Sequence, residues 1–247
     1  MDIEGAFGEE LARIRERCQS QQKFSWTSAK YQRDLLDFIY SHRALGACVI
    51  EVGCYKGGLT AQLALICDAS ELKLYTIDVD PTAIESTTSL LDELGLSHVC
   101  SVFHGDLSAF VDRVAIPGRA VVCILDGDHT YDAVRRDIGA ALSLSDRPNA
   151  LAFHDFSLRH PHYDERVDEA VRDAFGEGAA VQLIGLERNG VGHPTQNEPQ
   201  SDGHYWKVPG SEGAILTLGE SDYRGRRAQG PNRSGSAVMR YLRRLWQ

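Results

Sequence analysis

The stretch "ACVIEVGCYKGGLTAQLALIC", Ala47 to Cys67, decides the fold. Its first seven residues are apolar apart from Glu51 and end at Gly53. A strand with one wet face would alternate apolar and polar residues, so this run reads as a strand buried on both faces. Glycines at 53, 57 and 58 then allow close backbone approach, and "LTAQLALIC" continues as a helix. Strand, glycine loop and helix make the first half of a βαβ unit.

The same unit repeats downstream. Strands are predicted at "LKLYTIDVD" (72–80), "VCSVFHGD" (99–106), "AVVCILDGD" (120–128), "ALAFHDF" (150–156) and "AAVQLIGL" (179–186), with a seventh at "GAILTLG" (213–219). Helices are predicted between them, the last at "YDERVDEAVRDAF" (163–175); Pro81 opens the one that follows the second strand. Such alternation calls for an α/β, doubly wound, mostly parallel sheet with helices on both faces. "FGEELARIRERC" and "SAKYQRDLLDFIYSHRAL" precede it as helices, so residues 1–45 read as an N-terminal helical cap. Residues 46–223 read as one cofactor-binding domain. Its Gly-, Pro- and Asn-rich segment 188–212 reads as a lid loop that carries Tyr205 and Trp206. Residues 224–247 hold seven arginines and form a basic tail suited to packing on the domain or on a partner subunit.

In open α/β sheets ligands bind beyond the carboxyl ends of the strands. There the first five strands deliver Glu51, Asp78, Asp106, then Asp126-Gly127-Asp128-His129, and lastly His154-Asp155. The loop spacing G-x-x-x-G-G departs from the G-x-G-x-x-G of dinucleotide binders, which disfavours an NAD-dependent dehydrogenase, and no G-K-[ST] follows as in a phosphate loop. Glu51 ahead of the loop would repel a pyrophosphate and suit a cationic group. Asp78 fits ribose hydroxyls and Asp106 an adenine amino group; the bland alternative for each is a helix cap or turn.

The chain has 247 residues, a net charge of -9 and 43% hydrophobic content, the profile of an ordinary globular protein. That charge disfavours a nucleic-acid partner. No apolar run spans a bilayer and no signal-peptide core opens the chain, so no membrane partner and a cytoplasmic location are expected. The six cysteines lack CxxC spacing and read as reduced, buried side chains; Cys54, in the glycine loop, is the one to watch.

"VIEVGCYKGGLTAQLA" (49–64), "LYTIDVDP" (74–81) and "FHGD" (103–106) resemble the first three motifs of class I S-adenosylmethionine-dependent methyltransferases. "ILDGDHTYDAVRRDI" (124–138) with "ALAFHDF" is similar to a narrower group of small bacterial O-methyltransferases, which includes macrolide sugar-modifying enzymes and the cephalosporin hydroxylase-like family. The resemblance implies a seven-stranded Rossmann-like methyltransferase sheet and a homo-oligomer. It places Glu51, Gly53 and Gly57 at the methionine end of the cofactor, Asp78 at the ribose and Asp106 at the adenine; Lys56, in the same loop, is also expected to bind the cofactor.

Methyl transfer to a hydroxyl requires the acceptor to lose a proton and sit in line with the methyl group. Asp126 and Asp155 end neighbouring strands, and two converging carboxylates suit Mg²⁺ or another divalent metal. His129, one helical turn after Asp126, has the natural pKa of a general base. The expected catalytic pair is therefore His129 and Asp126, and the expected metal set is Asp126, His154 and Asp155. His154 is the departure from the resembled pattern, because imidazole is a poor Mg²⁺ ligand. Asp128 reads as a helix cap, and Tyr131 as a pocket or packing residue. His160 and His162 fall in a loop near the rim. The expected activity is metal-assisted O-methylation of a small polar acceptor, a sugar or natural product. The alternatives are metal-independent N-methylation on the same fold and a non-catalytic cofactor-binding partner in a biosynthetic complex.

Overall fold

The computed structural model describes residues 3–189 and 200–219. Two helices come first, α1 (Ile3–Ser20) and α2 (Ala29–His42). Strand and helix then alternate: β1 (Cys48–Val52), α3 (Gly58–Ala69), β2 (Lys73–Asp78), α4 (Pro81–Leu94), β3 (Cys100–His104), α5 (Leu107–Arg113), β4 (Ala120–Leu125), α6 (Tyr131–Leu142) and β5 (Ala150–Phe153). A two-residue β6 (Leu158–Arg159), α7 (Val167–Phe175), β7 (Val181–Arg188), β8 (Tyr205–Trp206) and β9 (Gly210–Thr217) complete the described chain.

The seven long strands form one sheet in the order β3-β2-β1-β4-β5-β9-β7. β1 to β5 are parallel, while β9 runs antiparallel to both of its neighbours. This is a doubly wound, mostly parallel seven-stranded sheet, as the apolar runs predict. Side-chain alternation divides the core into two layers. Val49, Leu74 and Val122 pack under α1 to α4, whereas Ile50, Ile77 and Cys123 pack under α5 to α7. The order reverses at β1, between β2 and β4, and in such sheets that switch point opens the ligand crevice.

Local caps fix where the helices start. Asp80 Oδ1 accepts from Thr82 N at 2.8 Å with Pro81 in the first turn, and Asp106 Oδ1 accepts from Ala109 N at 2.7 Å. Helix α7 starts four residues later than the sequence suggests. Residues 163–166 instead close a turn in which Glu165 bridges to Thr130. The 188–212 segment is not one loop. Tyr205–Trp206 pairs with Leu158–Arg159 as a small ribbon, and Arg188 stacks on the Trp206 ring at 3.9 Å. Trp206 is thus pinned into the fold, not held free above a pocket; residues 190–199 of the expected lid lie outside the described residues. So does the arginine-rich tail, 224–247. All six cysteines are buried thiols, and burial pushes Cys48 and Cys100 up to about 12 and Cys54 higher still, which keeps them protonated. Among the described residues no helix is long and apolar enough to cross a membrane.

Candidate active site

The glycine loop connects β1 to α3. Gly53 has φ +90°, and a Cβ there would run into the Asp126 carbonyl, with the Asp126 carbonyl carbon 2.6 Å away. Only glycine lets the ends of β1 and β4 come this close. Gly57, at φ +88°, caps α3 without a side chain. A Cβ on Gly58 would meet the backbone of Lys23, Phe24 and Ser25, so residues 23–25 cross over the start of α3. The exposed rings of Phe24 and Trp26 lie 6.3 Å from Tyr55, and Lys56 stands over Phe24 at 5.0 Å.

Asp78 holds this loop: its Oδ2 accepts from Cys54 N at 2.9 Å and Tyr55 N at 3.2 Å, and its Oδ1 accepts from Asp80 N at 2.9 Å. Asp106 caps α5 and is exposed. Glu51 requires a correction. It alternates to the α3 face of the sheet and is fully buried, so it does not line the rim. Its Oε2 accepts from Thr60 Oγ1 and Thr76 Oγ1, each at 2.7 Å, while Oε1 makes no hydrogen bond among the described residues. Burial pushes its carboxyl up to about 8, so near neutral pH it is uncharged and offers no charge to a sulfonium.

At the ends of β4 and β5 four side chains converge. Asp126 N bonds to Val52 O and His154 N to Leu125 O, so the strand ends step together across β1, β4 and β5. His129 lies between two carboxylates, with Nε2 3.4 Å from Asp126 Oδ1 and Nδ1 3.1 Å from Asp155 Oδ2. His154 Nδ1 sits 2.9 Å from Asp126 Oδ1 and 3.5 Å from Asp155 Oδ1. The contacts to Asp126 are charge contacts out of line with the ring N–H directions: His129 Nε2 and His154 Nδ1 are both buried and neither makes a hydrogen bond among the described residues. Asp155 adopts φ +49°, a left-handed conformation few aspartates occupy. The charges shift one another. Burial opposes ionisation throughout, yet the flanking carboxylates raise His129 to about 10 and His154 well above its usual range. The two rings in turn hold Asp126 down to about 2 and lower Asp155.

One member was not foreseen. Glu212, almost fully buried at the start of β9, places Oε1 3.6 Å from His154 Nε2. Its carboxylate accepts from Ser28 N at 2.6 Å, Ser28 Oγ at 2.5 Å and Leu186 N at 3.0 Å, and these partners with His154 hold it near 2. Tyr31 packs its ring 5.0 Å from His154 with a buried hydroxyl that has no partner among the described residues. A carboxylate in the apolar run "EGAILTLG" is the one signal that could have found Glu212. Asp128 and Tyr131 prove structural: Asp128 Oδ1 accepts from Thr130 N, and Tyr131 donates to Asp173 on α7. His160 and His162 lie outside the cluster, in a loop where His160 Nε2 meets Asp202 O at 3.0 Å.

The donor atoms of Asp126, His129 and His154 lie within 4.8 Å of one another, a span that fits a divalent ion. Asp155 meets both rings from the side. Two imidazoles and one carboxylate, with ring nitrogens left unbonded, therefore suit a metal in chemistry as well as in spacing.

Residues 50–156 match a family described as a methyltransferase domain. No curated protein matches the chain. Among solved structures, the O-methyltransferase TomG from Streptomyces achromogenes, involved in tomaymycin synthesis and bound to S-adenosylmethionine, shares 17% identity at a TM-score of 0.56, over 85% of this chain and 89% of that one. The O-methyltransferase from Bacillus cereus, bound to S-adenosylhomocysteine, shares 15% at 0.54, over 85% and 90%. A Clostridium thermocellum protein described as an rRNA methylase shares 15% at 0.51, over 77% and 97%. Such neighbours establish the fold. Residues 50–156 thus match a methyltransferase domain, and the sheet that contains them has the fold of these methyltransferases.

Proposed function

We propose that the chain moves a methyl group from S-adenosylmethionine to a hydroxyl of a small polar molecule, a sugar or natural product. The contact of Gly53 on Asp126 carries this reading, because it sets the cofactor loop directly against the histidine–carboxylate cluster. S-Adenosylmethionine supplies a methyl already activated on sulfur. A neutral hydroxyl, by contrast, must lose a proton as it attacks, and the cluster is built for proton or cation traffic. Two of the similar structures are described as O-methyltransferases, one from a natural-product pathway, which supports a hydroxyl acceptor.

On the cofactor side, the loop from Gly53 to Gly57 and its cation Lys56 face the methionine end. Asp78 faces the ribose and Asp106 the adenine. Glu51 serves from below, by holding β1, α3 and β2 together through its two threonines.

On the acceptor side the catalytic pair is Asp126 and His129, whose Oδ1 and Nε2 mark where the proton leaves. Two routes are open at these atoms. In the first, Nε2 takes the proton itself, once His129, raised to about 10 by its carboxylates, has given up its own. In the second, Asp126, His129 and His154 hold a divalent ion, which would lower the pKa of a bound hydroxyl. The two buried ring nitrogens without hydrogen bonds favour the second.

The test is calorimetric titration of S-adenosylhomocysteine into the whole chain. Transfer of labelled methyl to matched panels of hydroxyl and amine acceptors follows. Binding with label on oxygen is the expected result. Label on amines alone would replace the reading with N-methylation, and absence of S-adenosylhomocysteine binding would remove it.

A further inference from the structure

We propose that the rim cluster is a two-imidazole, one-carboxylate centre that selects a borderline first-row ion, such as Zn²⁺, Fe²⁺ or Co²⁺, over Mg²⁺, with Glu212 as the positioning residue for His154. This rests on the rim being the acceptor's activation site.

The donor set argues for the ion class. Asp126 Oδ1, His129 Nε2 and His154 Nδ1 are the converging atoms, and only one is an oxygen. Mg²⁺ takes oxygen ligands and keeps its waters, whereas imidazole suits zinc, iron, cobalt and nickel. His154 is more than nine-tenths buried, with an unbonded Nδ1 aimed into the cluster. An imidazole fixed in that place has no good role in a magnesium site.

The groups behind the rings argue for a built centre. A metal-bound histidine commonly gives its other N–H to a carboxylate, which fixes the tautomer. Both rings have one here. Asp155 Oδ2 stands 3.1 Å from His129 Nδ1, and Glu212 Oε1 stands 3.6 Å from His154 Nε2. Protons on those two nitrogens leave His129 Nε2 and His154 Nδ1 unprotonated, 3.4 and 2.9 Å from Asp126 Oδ1. Glu212 is itself held by two backbone N–H groups and Ser28 Oγ, so it cannot turn away from the ring. Ser28 also caps α2, and Leu186 lies in β7. The centre is therefore fastened to the N-terminal helices and to the far edge of the sheet.

Co²⁺ is the probe. Titrated into chelator-treated whole protein, it should give visible d–d absorption that saturates at one equivalent and survives a large excess of Mg²⁺. His154→Asn should abolish the absorption. Glu212→Gln keeps the shape and most hydrogen bonds, and should weaken Co²⁺ binding by roughly 10- to 100-fold without loss of stoichiometry. Each sample is also titrated with S-adenosylhomocysteine. Retained binding shows that a variant is folded and that the methyltransferase reading stands apart from the metal. Absence of a Co²⁺ band in protein that binds S-adenosylhomocysteine would overturn the proposal. So would displacement by equimolar Mg²⁺, or an unchanged band in His154→Asn.

Discussion

At the ends of β2 and β3 the rim carboxylates hold backbone: Asp78 accepts from Cys54 N and Tyr55 N, and Asp106 from Ala109 N. At the ends of β4 and β5, Asp126 and Asp155 face imidazole rings instead, and Glu212 at the start of β9 faces one while also accepting from Ser28 N and Leu186 N. The difference is one of replaceability. A backbone N–H is a permanent donor, so the cofactor half is shaped before any ligand arrives. A ring nitrogen can carry a proton, lose it or take a cation, so the acceptor half can change its chemistry without moving its backbone. On the proposed function, the first half would recognise a constant molecule by fixed shape, and the second would handle charge during turnover.

The sharpest way to break this contrast is at His129. His129→Ala should lower methyl transfer by about 10²- to 10⁴-fold while S-adenosylhomocysteine affinity stays within a few-fold, as calorimetry and a labelled-methyl assay can check. Equal losses in binding and turnover would mean that the two halves are one rigid unit. Next comes the seam between them. Gly53→Ala forces a side chain into the Asp126 carbonyl at a left-handed φ. A cost of roughly 2–4 kcal/mol in chemical denaturation is expected, together with loss of cofactor binding. A nearly neutral substitution would show that β1 and β4 can part, and that the two halves are less closely joined than Gly53 implies.

Parallel strands announce themselves by continuous apolar runs, and the stretch from Ala47 onward reads correctly for that reason. The rim could be found because five parallel strands all point their carboxyl ends to it. The same rule hid Glu212. β9 runs the other way, so its first residues, not its last, reach the rim. Glu51 misled for a related reason. Position relative to a glycine motif does not say which way a strand side chain points, and here alternation sends it under α3, against Thr60 and Thr76. The β6–β8 ribbon is two residues a side, too short for any periodicity to reveal.

Glu51 sharpens the contrast through pH. Its folded pKa, near 8, lies above its unfolded value of about 4.3, so the native state binds the extra proton. The stability this contributes is complete below the unfolded value and is lost as pH rises toward 8, with a slope of up to about 1.4 kcal/mol per pH unit. Glu51→Gln keeps acceptors for both threonines and cannot ionise. Denaturation curves at several pH values should therefore show the variant gaining on the parent chain as pH rises. Parallel curves would mean that Glu51 is ionised in the fold and paired with a cation.

The smallest effect separates shape from recognition in the cofactor half. Asp106→Ala removes a helix cap and should cost about 1 kcal/mol. Asp106→Asn caps as well as aspartate does, so stability should stay within about 0.5 kcal/mol of the parent. The two variants differ in what they leave for an adenine amino group. Alanine offers nothing, while asparagine has one carbonyl oxygen, and the cap already occupies the matching oxygen of the aspartate, Oδ1. If the free Oδ2 receives the adenine, both variants should weaken S-adenosylhomocysteine by roughly tenfold, the worth of one hydrogen bond to a charged group. If Asp106 only caps, alanine alone shifts the melting temperature and neither shifts the affinity. That result would leave Asp78 and Lys56 as the recognising side chains of a cofactor half otherwise shaped by backbone.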